Sequence, residues 1–213
     1  MKSFKILFVI IAVFICNAQA QQMITPSRGL SMLMEGNQRY VSDQSEHPNR
    51  SGERRKELAS KQLPYAVIVG CSDSRVAPEI IFDQGLGDLF VVRIAGNIIG
   101  QTELESIKYS ALYLGSSIIV VLGHENCGAV NAVVQGNTGD ITEIAEFIEP
   151  SVLNARQSKS PDLLERAIKL NAVNMARYLK NTPNLQRLIK NNQLEVRAAY
   201  YNLKTGLVEL LNM

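Results

Sequence analysis

The sequence predicts an α/β fold: a central, mostly parallel β-sheet flanked by helices, with a helical arm at the amino end and an antiparallel hairpin at the carboxyl end. Three observations carry this. Tyr65–Gly70, Leu89–Ile94 and Ser117–Gly123 are short runs rich in Val and Ile, and their near-continuous apolarity suits strands buried on both faces. Thr102–Leu114, between the second and third runs, places Leu104, Ile107, Ala111 and Leu114 on one helical face, so strand, helix and strand build a parallel sheet through a right-handed crossover. No repeat, low-complexity tract or interdomain linker interrupts the rest. Residues 21–213 are therefore expected to form one domain, long enough for a substantial core.

The first 20 residues are expected to be a secretory signal. Lys2 and Lys5 precede the apolar run Ile6–Cys16, and Ala18-Gln19-Ala20 has the small-residue pattern of a cleavage site. The run is shorter than the ~20 residues that span a bilayer. An exported protein, periplasmic or secreted, with no membrane attachment after cleavage, is the expectation. Of 22 basic and 20 acidic residues, the segment removes two lysines and no acid. The remainder is formally neutral and has no basic field to recommend nucleic acid as a partner.

Thr25-Pro26 pairs an N-cap with proline at the first helical position, and Leu30, Leu33, Met34, Asn37, Tyr40 and Val41 follow at helical spacing, predicting an amphipathic helix over Pro26–Asp43. Ser45–Ser51 is polar, with His47-Pro48-Asn49 as a turn. Glu53–Lys61 reads as a charged, solvated helix before the first strand. Beyond the third strand, helices are expected at Gly128–Gln135, Ile141–Gln157 and Pro161–Lys180. Leu194–Asn202 and Leu207–Leu211, joined through Lys204-Thr205-Gly206, read as the terminal hairpin.

Two polar strings stand where strand-like runs end: Cys71-Ser72-Asp73-Ser74-Arg75 after the first, and His124-Glu125-Asn126-Cys127 after the third. Ligands of parallel α/β sheets bind at the carboxyl ends of strands, so the strings are placed to converge on one cleft. Two Cys and one His form a ligand set of catalytic zinc that leaves the fourth position for water or substrate. Cys127 opens a predicted helix, where the dipole favours a thiolate. The competing reading is a Cys71–Cys127 disulfide, the default for two cysteines in an exported chain. Asp73 and Arg75 also admit two readings: a helix cap with a surface ion pair, or a carboxylate that accepts a hydrogen bond from metal-bound hydroxide while the guanidinium keeps it ionised and oriented. The phosphatase loop Cys-x5-Arg fails on spacing, because position 77 is Ala77.

Cys71–Arg75, the stretch Ile81–Asn97 and Val121–Val130 closely resemble the β-class carbonic anhydrases of bacteria, and the resemblance runs from about Pro26 to the final hairpin. It implies one Zn²⁺ held by Cys71, His124 and Cys127, with Asp73 and Arg75 as the catalytic pair. It also implies a homodimer or homotetramer with active sites at subunit interfaces. Gln62 matches a substrate-binding glutamine, Phe90 an aromatic lining the CO2 pocket, and Tyr109 a tyrosine of the family's Ile-Glu-Tyr pattern, here Ile107-Lys108-Tyr109. Some members bind regulatory bicarbonate through a tryptophan, an arginine and a tyrosine. Arg93 and Tyr201 match the last two, but Ile68 replaces the tryptophan, so Asp73 is expected to stay off the zinc and leave it to water.

The implied reaction is CO2 + H2O ⇌ HCO3⁻ + H⁺, by attack of zinc-bound hydroxide. Two thiolates offset the metal's charge, which predicts an alkaline-shifted activity profile. His47 lies in a polar turn, where an exposed structural role is favoured over proton shuttling. Two alternatives stay open: hydrolysis of CS2 or COS on the same fold, and a non-catalytic zinc-binding or disulfide-stabilised protein.

Overall fold

A computed structural model describes residues 24–158 and 160–213; the expected signal segment, 1–20, lies outside them. The strands are β1 (Ala66–Gly70), β2 (Leu89–Arg93), β3 (Ile118–His124), β4 (Glu195–Tyr201) and β5 (Val208–Leu211). They form one sheet in the order β2-β1-β3-β4-β5. Every pairing is parallel except β4 with β5, the expected antiparallel hairpin. β1 and β3 are buried along their whole length, as apolar runs covered on both faces must be.

Alternation along the strands sorts their side chains into two layers. Val67, Val69, Ile119 and Val121 point to one side, against the helices α4 (Gln101–Tyr109), α7 (Leu163–Asn181) and α8 (Pro183–Lys190). Ile68, Ile118, Val120 and Leu122 point to the other, with Leu33 of α1 (Pro26–Val41) and with Ile81 and Phe82 at the end of α3 (Pro78–Ile81). The expected start of α1 is present, since Thr25 Oγ1 accepts the Arg28 N–H at 3.3 Å and Pro26 opens the helix. Contact with α3 requires Gly36, where a Cβ would lie 1.8 Å from the Phe82 carbonyl oxygen. A third apolar group, around the carboxyl ends of β1 and β3, is supplied by α5 (Gly128–Gln135), α6 (Thr142–Gln157) and α7.

Three elements depart from the sequence pattern. The charged helix, α2, spans only Gly52–Glu57, because Leu58 turns out of it to pack over Gly87. The segment expected as one helix over 102–114 becomes α4 followed by a π-turn at Ser110–Leu114 and Gly115 at φ 81°. The buried Ser110 and Ser116 hydroxyls meet at 2.8 Å and Ser116 donates to the Pro64 carbonyl, so polar contacts draw this end onto the start of β1. Finally, α8 is not among the predicted elements. Pro183 opens it, and Leu185, Leu188 and Ile189 pin it to the core.

This topology fixes where a ligand can bind. The chain leaves β1 for β2 on one side and leaves β3 for β4 on the other. Neighbouring strands whose exits diverge open a crevice at their carboxyl ends. Gly70 is in register with Leu122, so Cys71 and His124 both emerge at that crevice.

Candidate metal centre

Cys71, His124 and Cys127 come together there. Their ligand atoms all lie within 4.8 Å of one another and all three residues are buried, with His124 wholly enclosed. Each is held by backbone. Glu125 N–H donates to the Tyr201 carbonyl at 2.9 Å, tying the segment after β3 to β4. Asn126 takes a positive φ of 53°, a conformation Asn tolerates, which turns the chain so that Cys127 caps α5. Cys71 Sγ faces the Gly96 N–H at 3.4 Å.

His124 Nδ1 lies 2.9 Å from the Glu125 carbonyl oxygen. A carbonyl only accepts, so Nδ1 carries the proton and Nε2 presents a lone pair. Nε2 is buried and has no hydrogen-bond partner. Both cysteines are free thiols rather than a disulfide. The neighbouring Cys127 sulfur draws the Cys71 thiol down, with help from the Gly96 N–H, against the opposing effect of burial. The Cys71 sulfur and burial together push Cys127 up. Two ionised sulfurs this close repel each other, and a cation between them would let both ionise. A bare imidazole nitrogen and two converging sulfurs, in a buried triangle, fit a cation that takes nitrogen and sulfur ligands.

Asp73 and Arg75 stand beside this triangle. Arg75 donates through Nε and Nη2 to the two carboxylate oxygens at 3.0 and 2.7 Å, and its N–H adds a third bond at 2.9 Å. The Arg75 hydrogen bonds hold the Asp73 carboxyl well below the usual carboxylate range, outweighing burial. Asp73 Oδ2 is 3.9 Å from His124 Nε2. The helix-cap reading of Asp73 does not hold: α3 begins at Pro78 after Ala77 and has no side-chain cap.

Arg93 connects the two parts, donating to the Cys71 carbonyl at 3.0 Å and the Asp73 carbonyl at 2.6 Å. Its role in holding the 71–73 backbone was not legible in the sequence, where an arginine closing a strand has no fixed target. Ile68 and Tyr201 lie in the core on the α1 side of the sheet, and the Tyr201 hydroxyl is 3.3 Å from that of Tyr40.

The remaining candidates are not gathered at the triangle within one chain. Gln62 is exposed before the amino end of β1, opposite the end that carries Cys71. Phe90 is in register with Val67, three positions before Gly70, and stacks at 6.4 Å on Tyr109, which is half exposed and adjoins the exposed Tyr113. His47 is exposed, as expected, and close to Asp83.

An α/β sheet crevice holding two thiols, an imidazole and an arginine-clamped carboxylate could hold a metal ion. The family model described as carbonic anhydrase matches residues 66–208. The chain is 40% identical over 192 residues to a carbonic anhydrase of Mycolicibacterium smegmatis, covering 87% of this chain and 93% of that one. Over 138 residues it is 48% identical to carbonic anhydrase 2 of Mycobacterium tuberculosis, covering 62% and 67%. Among solved structures it is similar to the β-carbonic anhydrase CafA of Aspergillus fumigatus, with a TM-score of 0.68, 26% identity and coverage of 86% and 90%. It shares its fold with two tetrameric β-carbonic anhydrases of Sordaria macrospora, with a TM-score of 0.66, 24% identity and coverage of 86% and 97%. The chain belongs to the β-class carbonic anhydrases, a family of lyases.

Proposed function

We propose that this chain catalyses the reversible hydration of CO2 to bicarbonate and a proton, with zinc held by Cys71, His124 and Cys127. The observation that carries this reading is the buried triangle with its unpartnered, unprotonated His124 Nε2. Two thiolates and one imidazole are a zinc donor set, and three protein ligands leave a position for water. Bound there, zinc supplies Lewis acidity that lowers the pKa of a water molecule from about 15.7 towards 7.

The chain's own residues do the rest. Asp73 is kept ionised by Arg75, so near neutral pH it accepts hydrogen bonds and does not act as the acid. Its Oδ2, beside His124, is placed to accept a hydrogen bond from the hydroxyl of the attacking nucleophile and so orient its lone pair towards carbon. The new C–O bond forms as one C=O π pair moves onto oxygen, giving bicarbonate, and the proton from water leaves to solvent. Arg93 fixes the carbonyls on either side of Ser72 and so holds the spacing between Cys71 and Asp73.

Gln62, Phe90 and Tyr109 serve substrate in this reading only if a second copy brings its own surface to the crevice. The exposure of Tyr109, Tyr113 and Gln62 supports a homodimer or homotetramer. Export to the periplasm or beyond rests on the pattern of residues 1–20.

The test is CO2 hydration by the purified mature protein, with zinc measured on the same sample and COS supplied in a parallel assay. Stoichiometric zinc with CO2 hydration supports the proposal. Zinc with COS hydrolysis alone, or zinc with neither activity, overturns it.

A further inference from the structure

Buried polar side-chain atoms without a partner are rare in folded proteins, and each asks for a reason. Among the described residues three occur: His124 Nε2, Asn97 Nδ2 and Asn171 Oδ1. The first belongs to the metal triangle. The other two meet at the turn Ala95–Asn97 that follows β2, since Asn171 on α7 donates Nδ2–H to the Gly96 carbonyl at 2.8 Å. The opposite side of that same peptide pair, the Gly96 N–H, faces Cys71 Sγ at 3.4 Å. Asn171 is completely buried.

The turn has no freedom to aim itself. Gly96 sits at φ 71° and Asn97 at φ 44°, left-handed conformations that need outside support for a side-chain-bearing residue. A Cβ on Gly96 would lie 2.7 Å from Ile148 Cδ1 and 3.4 Å from Ala129 Cβ, so α5 and α6 close on it from outside. α7 is anchored at the other half of the site. A Cβ on Gly123, the residue before His124, would lie 3.2 Å from Ile168 Cγ2 and 3.4 Å from Ala172 Cβ, the neighbours of Asn171 in the helix. Asn171 therefore links the segment that carries His124 to the amide that meets the Cys71 sulfur.

We propose that Asn171 is a positioning residue of the metal centre: by holding the Gly96 carbonyl it aims the Gly96 N–H at the Cys71 sulfur. An N–H bonded to a ligating thiolate withdraws charge from sulfur and fixes its direction, and partners of this kind govern metal retention. The proposal rests on the reading that the triangle holds zinc.

The experiment compares the zinc-loaded wild type with Asn171→Leu, which keeps the volume and removes the donor. The control is Asn174→Leu, which removes a donor one helical turn away whose partner is Ser151 Oγ at 2.9 Å, remote from the turn. Zinc transfer to a chelator and the sulfur-to-cobalt absorption bands of the Co²⁺-substituted proteins are measured. N171L should release zinc about tenfold faster and shift the cobalt bands, while N174L keeps wild-type values whatever it loses in Tm. Equal release rates and identical bands in the two variants would overturn the positioning role. If N171L does not fold, Asn171→Ser carries the same comparison. Failure of both to fold, with N174L folded, would also overturn the proposal, because Asn171 would then serve the fold. A wild type that retains neither zinc nor cobalt overturns the metal reading itself, a result distinct from both.

Discussion

Two buried polar regions of this chain are built on opposite principles. Under α1, Asn37 spends its whole side chain on the backbone: Nδ2 donates to the Ile81 and Gly206 carbonyls at 3.1 and 2.8 Å, and Oδ1 accepts the Val208 N–H at 2.9 Å. Nearby, Asp83 accepts from Arg39 Nε and from the N–H groups of Glu46 and His47 at 2.7 to 3.0 Å. At the metal centre the backbone holds the side chains, and the atoms that matter, His124 Nε2 above all, are left without a protein partner. A buried polar atom left unpaired costs about 1–3 kcal/mol, so the second arrangement persists where the surroundings over-determine it for a ligand. The first kind of region serves stability and the second serves chemistry, and substitutions should separate them.

The largest effect is expected from His124→Ala, which removes the bare nitrogen. Zinc content should fall to about a tenth of wild type or less, and CO2 hydration should fall with it; retention of full zinc would break the assignment of the triangle. Asp73→Asn comes next. The amide keeps the shape but neither pairs with Arg75 as an ion nor accepts through both positions, so hydration should drop roughly 10–100-fold at unchanged zinc content. A variant of wild-type rate would remove Asp73 from the chemistry.

The corresponding substitution in the other region, Asn37→Leu, strands two carbonyls and one N–H in the core. Urea unfolding should show a loss of about 3 kcal/mol, with zinc content per folded molecule unchanged. A parallel loss of zinc would show that the two regions are coupled and blunt the contrast between them.

The two regions also differed in how much of them could be read from sequence. Cys71, His124 and Cys127 were legible because each follows an apolar strand run, and parallel topology brings strand ends together whatever lies between. The fold followed from the same runs, and β1 and β3 match the expected spans to within a residue or two at each end. What was not legible depends on distances between remote segments. Asn37 reads as one more residue of an amphipathic helix, and only the hairpin's return, some 170 positions later, gives it partners. Asn171 is invisible for the same reason, and so is the grip of Arg93 on the Cys71 and Asp73 carbonyls, since resemblance named that residue only for bicarbonate. α8 carries signals the sequence reading passed over: Thr182-Pro183 repeats the opening of α1, and Leu185, Leu188 and Ile189 stand at helical spacing. Gln62, Phe90 and Tyr109 came from resemblance alone, and one chain does not bring them to the crevice.

The smallest expected effect concerns Asp83 and is read as a pH dependence. Burial raises its pKa, but the Arg39 hydrogen bond and the N–H groups of Glu46 and His47 outweigh it, leaving the carboxyl below its ordinary value. A carboxylate lowered on folding contributes stability that is fully present above its unfolded pKa, about 3.9, and is lost as pH falls through that value towards the folded one. In Asp83→Asn an amide donor meets the N–H groups that the carboxylate accepted, so the variant should be less stable than wild type near neutral pH. As the medium is acidified below about pH 4, the wild-type carboxyl gains an O–H directed at the same donors, and the difference between the two proteins should narrow. Urea midpoints at several pH values from neutral down to about 3 measure that difference. Because Asp83 meets the backbone, Arg39 and the His47 ring but none of the three candidate metal ligands, zinc content should follow the same curve in both proteins, and a difference that stays constant on acidification would mean that the charge on Asp83 contributes nothing.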